Sequence, residues 1–172
     1  MKRVMIFVDG SNFYHALKAK TGSAQLDFGH LIAELVGPNR ELARVYYYNA
    51  PVNAQEVPAQ HRRQQAFFGA LKRIPYFEVK LGRLVRRSHG MVEKGVDVRL
   101  ATDMVAAGLL NRYDVAILVS GDGDFTDAVQ VVKDAGKHVE LAYPRVDSLS
   151  RALCDVCDVF VELVEGSHLK RP

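Results

Sequence analysis

Two short runs of this chain are apolar at every position: Val4 to Val8 (Val-Met-Ile-Phe-Val) and Val115 to Val119 (Val-Ala-Ile-Leu-Val). A strand that alternates polar and apolar residues keeps one face in water. A strand that is apolar throughout must be covered on both faces, as in the centre of a parallel sheet. Leu42 to Asn49, rich in aromatic residues, predicts a further strand, as do Tyr76 to Leu81, Val139 to Ala142 and Val159 to Val164. Helical patterns lie between them. Phe13 to Lys20 and Leu31 to Val36 come first, the second stopped by Gly37-Pro38-Asn39. Gln60 to Arg73 ends before Pro75. Gly95 to Leu110 places Leu100, Met104, Ala107 and Leu110 on one face at the helical period. Phe125 to Ala135 is stopped by Gly136, and Ser148 to Leu153 forms a last short helix. Gly82 to Glu93, with Arg83, Arg86, Arg87 and His89 around Gly90, reads as an exposed basic hairpin or loop.

Strands that alternate with helices predict an α/β fold, a mainly parallel sheet with helices on both faces. There is no internal repeat, low-complexity tract or linker. One domain is therefore expected over residues 1–165, with 166–172 as a C-terminal tail.

Composition narrows the setting. The chain has 172 residues, 48% of them hydrophobic, enough for a substantial core. No stretch reaches the roughly 18 uninterrupted apolar residues of a membrane span. The apolar run after Met1-Lys2-Arg3 ends at Asp9, too soon for a signal-peptide core, so a cytoplasmic protein is expected. Cys154 and Cys157 are the only two cysteines, with no second pair at zinc-ligand spacing, and read as ordinary thiols. The formal net charge is +3. Setting aside the acidic residues singled out below leaves the rest more basic still. That balance suits a polyanionic partner, although it does not require one.

The candidate chemistry sits at the ends of the two apolar strands. Asp9-Gly10-Ser11-Asn12 follows the first and Ser120-Gly121-Asp122-Gly123-Asp124 the second. In open α/β sheets, ligands bind beyond the carboxyl ends of strands where the strand order reverses, so these carboxylates converge if the two strands are neighbours. Gly10, Gly121 and Gly123 are small positions that would let backbone and phosphate approach closely. Oxygen-rich clusters suit hard cations such as Mg²⁺ or Mn²⁺. The competing role for each aspartate is a helix or turn cap. Asp97, at the start of the long helix, is also explained by the helix dipole. Asp103 lies about 9 Å along the axis and roughly 120° around from Asp97, and it stands four residues after Arg99, at salt-bridge spacing. A structural pair is its expected role, and an outer position at the site the alternative. Tyr46, Tyr47 and Tyr48 cannot all face one side of a strand and are read as packing.

Phe7-Val8-Asp9-Gly10-Ser11-Asn12, Lys94-Gly95-Val96-Asp97 and Ser120-Gly121-Asp122-Gly123-Asp124-Phe125 occur in this order, at strand and helix ends. In that order and context the chain resembles the NYN domain, in the LabA-like branch of the PIN-like nuclease superfamily, over about residues 3 to 162. The resemblance implies a three-layer α/β/α sandwich, a Mg²⁺ or Mn²⁺ site and RNA as substrate, and it admits a homodimer. Position by position, Asp9, Asp97, Asp122 and Asp124 match the family's acidic residues. Asn12 matches its asparagine after the first strand, and Asp103 an acidic position on the helix. Asp127 departs from the pattern, standing where many relatives have proline.

The expected chemistry is a phosphodiester hydrolysis in which one or two ions held by Asp9, Asp97, Asp122 and Asp124 activate a water. Asn12 and Ser120 could hydrogen-bond water or a phosphate oxygen, or serve only turn and cap geometry. Lys94 could neutralise a phosphate or stand solvated. Arg83, Arg86 and Arg87, with Arg62, Arg63, Lys72 and Arg73, are candidates for contacts along a single RNA strand. Two other classes compete. One is a module of the same fold that binds RNA or protein without turnover. The other is a phosphatase with Asp9 as nucleophile, disfavoured because Ser11 stands where such enzymes carry a second acid.

Overall fold

The computed structural model describes residues 1–23, 26–87, 90–144, 147–163 and 169–170, with backbone alone for 83–87, 90–93 and 169–170. From the N-terminus the elements are β1 (Lys2–Asp9), α1 (Gly10–Thr21), α2 (Phe28–Val36), β2 (Arg40–Asn49), α3 (Pro58–Leu71) and β3 (Phe77–Leu81). A hairpin follows, β4 (Arg83–Arg87) and β5 (Gly90–Lys94), then α4 (Val96–Leu109) and β6 (Val115–Val119). A 3₁₀ turn (Gly123–Phe125) leads into α5 (Thr126–Asp134), followed by β7 (His138–Tyr143), α6 (Arg151–Val156), β8 (Val159–Leu163) and β9 (Leu169–Lys170).

The two apolar runs are the centre of the sheet. β1 and β6 pair in parallel, Val4 opposite Val115 through Val8 opposite Val119. The strand order is β3-β2-β1-β6-β7-β8-β9, and the first six strands are parallel. β9 adds a short antiparallel edge from the segment expected as a tail. Alternate residues of β1 serve opposite faces. Val4, Ile6 and Val8 pack with Phe13, Leu31, Leu35 and Phe68 from α1, α2 and α3. Met5 and Phe7 pack with Leu100, Met104, Val129, Val132 and Leu153 from α4, α5 and α6. The result is the three-layer α/β/α arrangement, and each fully buried large side chain contributes about 1.5–3 kcal/mol. The tyrosine triplet obeys the same alternation: Tyr47 belongs to the first core, Tyr46 and Tyr48 to the second. No helix is long and apolar enough to cross a membrane.

Several boundaries differ from the sequence reading, and three of them near the strand ends are set by a cap. α1 begins at Gly10 rather than Phe13, since the Asp9 carboxylate accepts the Asn12 N–H and turns the expected loop into a first helical turn. α6 starts three residues late because Ser150 caps it, accepting from the Leu153 N–H. α5 is preceded by a 3₁₀ turn in which Asp122 accepts the Asp124 N–H.

Candidate functional site

From β1 the chain proceeds through β2 to β3 on one side, and β6 returns to the other side of β1. The order therefore reverses between β1 and β6, and their carboxyl ends open a crevice there. Asp9 closes β1 at its mouth and is 3% exposed. Its Oδ1 accepts from the Asn12 N–H at 3.2 Å and its Oδ2 from the Ser120 hydroxyl at 3.0 Å. Ser120 is fully buried, and its Oγ also accepts from the Asp122 N–H at 3.2 Å. One hydroxyl thus sets the spacing between the two acidic strand ends.

Asn12 ties in a third strand. Its Oδ1 accepts from the Gly121 N–H at 2.9 Å and from the Tyr143 hydroxyl at 2.6 Å, linking the ends of β1, β6 and β7. Its side-chain NH₂ has no hydrogen-bond partner among the described residues and borders the cavity. The glycines have a different purpose from the one expected. A Cβ on Gly10 would collide with the Tyr47 ring, and one on Gly121 would lie 2.6 Å from the Tyr143 ring. They admit aromatic rings from neighbouring strands.

Asp97 enters from the first turn of α4, directly after the hairpin. The cap there is Gly95, in the left-handed region, with no side-chain bond, so Asp97 does not act as a cap. Asp9, Asp97 and Asp122 line one cavity of about 620 Å³. Asp124 is exposed at its margin and outside the lining. Burial is the main cause that pushes the Asp9 carboxyl up to about 6; the charges of Asp97 and Asp122 add to it, against the bonds from Asn12 and Ser120. Asp97 is raised too, first by desolvation and then by Asp122 and Asp124. Among the described residues no lysine or arginine pairs with any of the four.

The remaining candidates lie elsewhere. Asp103 is in a structural pair, as expected, but its partner is Lys80 on β3 (2.7 Å) and not Arg99. It also accepts from the Tyr48 hydroxyl at 2.9 Å, while Arg99 donates to the Leu81 carbonyl. Lys94 is exposed and outside the cavity lining. The side chains of Arg83, Arg86 and Arg87 lie outside the described residues; their backbone forms the expected hairpin. Sequence reasoning missed Tyr143, Ser11 and His15. Tyr143 was within reach of the strand-end rule, since β7 runs one residue beyond its apolar stretch. His15 was not, because it is an exposed helical residue with no motif around it.

No group of three or more His, Cys, Asp or Glu side chains among the described residues is arranged to hold an ion unaided. The donors nevertheless fit a hard cation in kind. They are oxygen only, mutually repelling and without a resident positive charge, and Mg²⁺ needs only one or two carboxylates when it keeps several waters. Asp97 and the second oxygen of Asp122 have no hydrogen-bond partner among the described residues, so they are the donors least committed elsewhere.

A family profile described as "NYN domain" matches residues 3–164. The chain is 26% identical over 174 residues to "Low amplitude and bright protein LabA" of Synechococcus elongatus, an alignment that covers 94% of this chain and 83% of that protein. The fold matches the crystal structure of a protein of unknown function from Vibrio parahaemolyticus with a TM-score of 0.77 and 26% identity, covering 98% and 96% of the two chains.

Proposed function

The chain belongs to the NYN domain family, and from that premise we propose that it is a cytoplasmic metal-dependent nuclease that hydrolyses phosphodiester bonds in single-stranded RNA. The observation that carries this reading is the set of unpaired, mutually repelling carboxylates at the reversal point of the sheet, with Asp9 raised to about 6. Such a set is costly to maintain unless a cation enters it. Cys154 and Cys157 are not joined in a disulfide, which agrees with a reducing compartment.

Asp9, Asp97 and Asp122, with Asp124 at the margin, would hold Mg²⁺ or Mn²⁺. A cation held there would supply the means to activate a water and to offset charge on the leaving oxygen. The chain's own residues set the stage. Ser120 and the Asn12 N–H fix the Asp9 carboxylate from both sides, so its orientation needs no rearrangement. The free NH₂ of Asn12 is a donor for a phosphate oxygen at the cavity wall. The hairpin carrying Arg83, Arg86 and Arg87 leads straight into Asp97 and would neutralise the RNA backbone beside the acids. We assign the activity to residues 1–165 as one unit.

Purified protein is expected to cleave single-stranded RNA only with Mn²⁺ or Mg²⁺, and Asp9→Asn or Asp122→Asn to reduce cleavage to background. Cleavage that persists in both variants would move the active site elsewhere. Metal-independent RNA binding by an inert wild type would favour the module that binds without turnover.

A further inference from the structure

A second cavity, of about 730 Å³, opens beside the acidic one between α1, the end of β2 and α3. Ser11 and His15 line both, so the two cavities adjoin. That volume lies within the usual range for ligand pockets, about 300–1,000 Å³.

Its chemistry differs from that of its neighbour. Two aromatic side chains in its lining are open to solvent, Tyr14 at 46% and Phe67 at 37%. Tyr14 meets His15 edge to face at 5.4 Å, and Phe67 is held from behind by Phe28 and Tyr47, at 5.8 and 5.9 Å. The far wall is the loop after β2, and it is fixed in place. The Val52 N–H donates to Gln64 Oε1 at 2.7 Å, Gln64 Nε2 donates to the Ala50 carbonyl at 2.9 Å, and His61 Nδ1 bonds the Val52 carbonyl at 2.8 Å. Gln60 in the lining has no hydrogen-bond partner among the described residues and so offers both a donor and an acceptor. Arg63 has no ion pair among them either, while Glu56 on the same wall repels phosphate.

We propose that this cleft is a base-binding subsite, where an unpaired nucleotide adjoining the acidic cavity lays its ring against Tyr14 or Phe67 and presents its edge to Gln60. This rests on the nuclease reading for its substrate class, and it goes further by saying how a strand is gripped. Exposed aromatic rings with an amide in the same lining match a base, which is flat and carries donors and acceptors on its rim. A duplex keeps its bases stacked inside and cannot supply one. The carboxylate of Glu56 disfavours a phosphate at this wall and leaves the wall to the base.

The test is anisotropy titration of the full chain, in EDTA, with a short single-stranded oligoribonucleotide and with the same strand made abasic at its central positions. Wild type is expected to prefer the base-bearing strand by about fivefold, the low end for one stacked base. Tyr14→Ala and Phe67→Ala should remove that preference and leave affinity for the abasic strand unchanged. Gln60→Ala, on the solvent side of α3, should alter the ranking among bases without loss of folding. Equal affinity for both strands, or a parallel loss on both, overturns the subsite; a cleft that takes a peptide segment gives the first of these. The two readings separate in Mn²⁺. Base-dependent binding without cleavage sinks the nuclease and keeps the subsite. Equal cleavage of both strands keeps the nuclease and sinks the subsite.

Discussion

The two edges of the central sheet treat acidic residues in opposite ways. At the amino-terminal edge Asp114, Glu140 and Asp158 each have a basic partner. Arg3 grips Asp114 through its backbone N–H and guanidinium (2.7 and 2.9 Å), and Lys133 pairs with Asp158 at 2.9 Å. Arg40 reaches Glu140 at 2.6 Å and also donates to the Leu35 and Val36 carbonyls that end α2. At the carboxyl-terminal edge Asp9, Asp97 and Asp122 share one cavity with no such partner among the described residues. The hydrogen bonds and charge of Arg3 hold the Asp114 carboxyl down at about 2, whereas burial and its neighbours lift Asp9 to about 6. The same residue type stabilises one end of the strands and burdens the other. A fold concentrates that burden where it binds something.

The sharpest way to break the comparison is to disarm each edge in turn. Arg40→Ala takes the guanidinium away from the buried Glu140 carboxylate and from the end of α2, and should cost about 3–5 kcal/mol in denaturant melts. Cleavage per folded molecule should be unchanged. Asp122→Asn should do the reverse. If Arg40→Ala lowers cleavage of the folded fraction as strongly as Asp122→Asn, the division of labour is wrong.

The next effect is smaller and has the opposite sign to most core substitutions. A carboxyl raised from 3.8 to about 6 binds its proton more tightly when folded. Its contribution to stability is therefore complete below about pH 4 and is lost as the pH rises through about 6. Without divalent ions, Asp9→Asn should stabilise the fold by up to about 3 kcal/mol at about pH 8 and by nothing in acid. Mn²⁺ should raise the wild-type Tm and leave that of the variant nearly still. A variant less stable than wild type at alkaline pH would mean that the Asp9 charge is balanced by groups outside those described.

The smallest effect belongs to Arg3. The pair it forms is partly exposed, so Arg3→Ala should lower stability only slightly near neutrality, and less in high salt. Asp114 has a depressed carboxyl, so this contribution is present above about pH 4 and disappears as the pH falls through about 2. An acid melt that shows no convergence of variant and wild type in that window would detach Asp114 from Arg3.

Legibility in the sequence followed the range of the interactions. Val4–Val8 and Val115–Val119 announced two central strands because burial on both faces leaves no polar position. Their acidic ends marked the crevice by the strand-end rule alone. The start of α1 was hidden because the Asp9 side chain creates it, a bond three residues long that looks like a turn when read as Asp-Gly-Ser-Asn. The partner of Asp103 was hidden because Lys80 stands 23 residues away, while the local spacing offered Arg99. The aromatic cleft was hidden because helical periodicity shows which residues turn inward and says little about which outward ones gather.

The β4–β5 hairpin pairs with no other strand among the described residues, yet its last residue stands one glycine from the helix that carries Asp97. As a matter of inheritance, that makes it an exchangeable part. It can lengthen, shorten or change its charge by insertion without disturbing one backbone bond of the six parallel strands. Lineages built on this frame can therefore diversify what they grip while the acids stay where β1 and β6 put them.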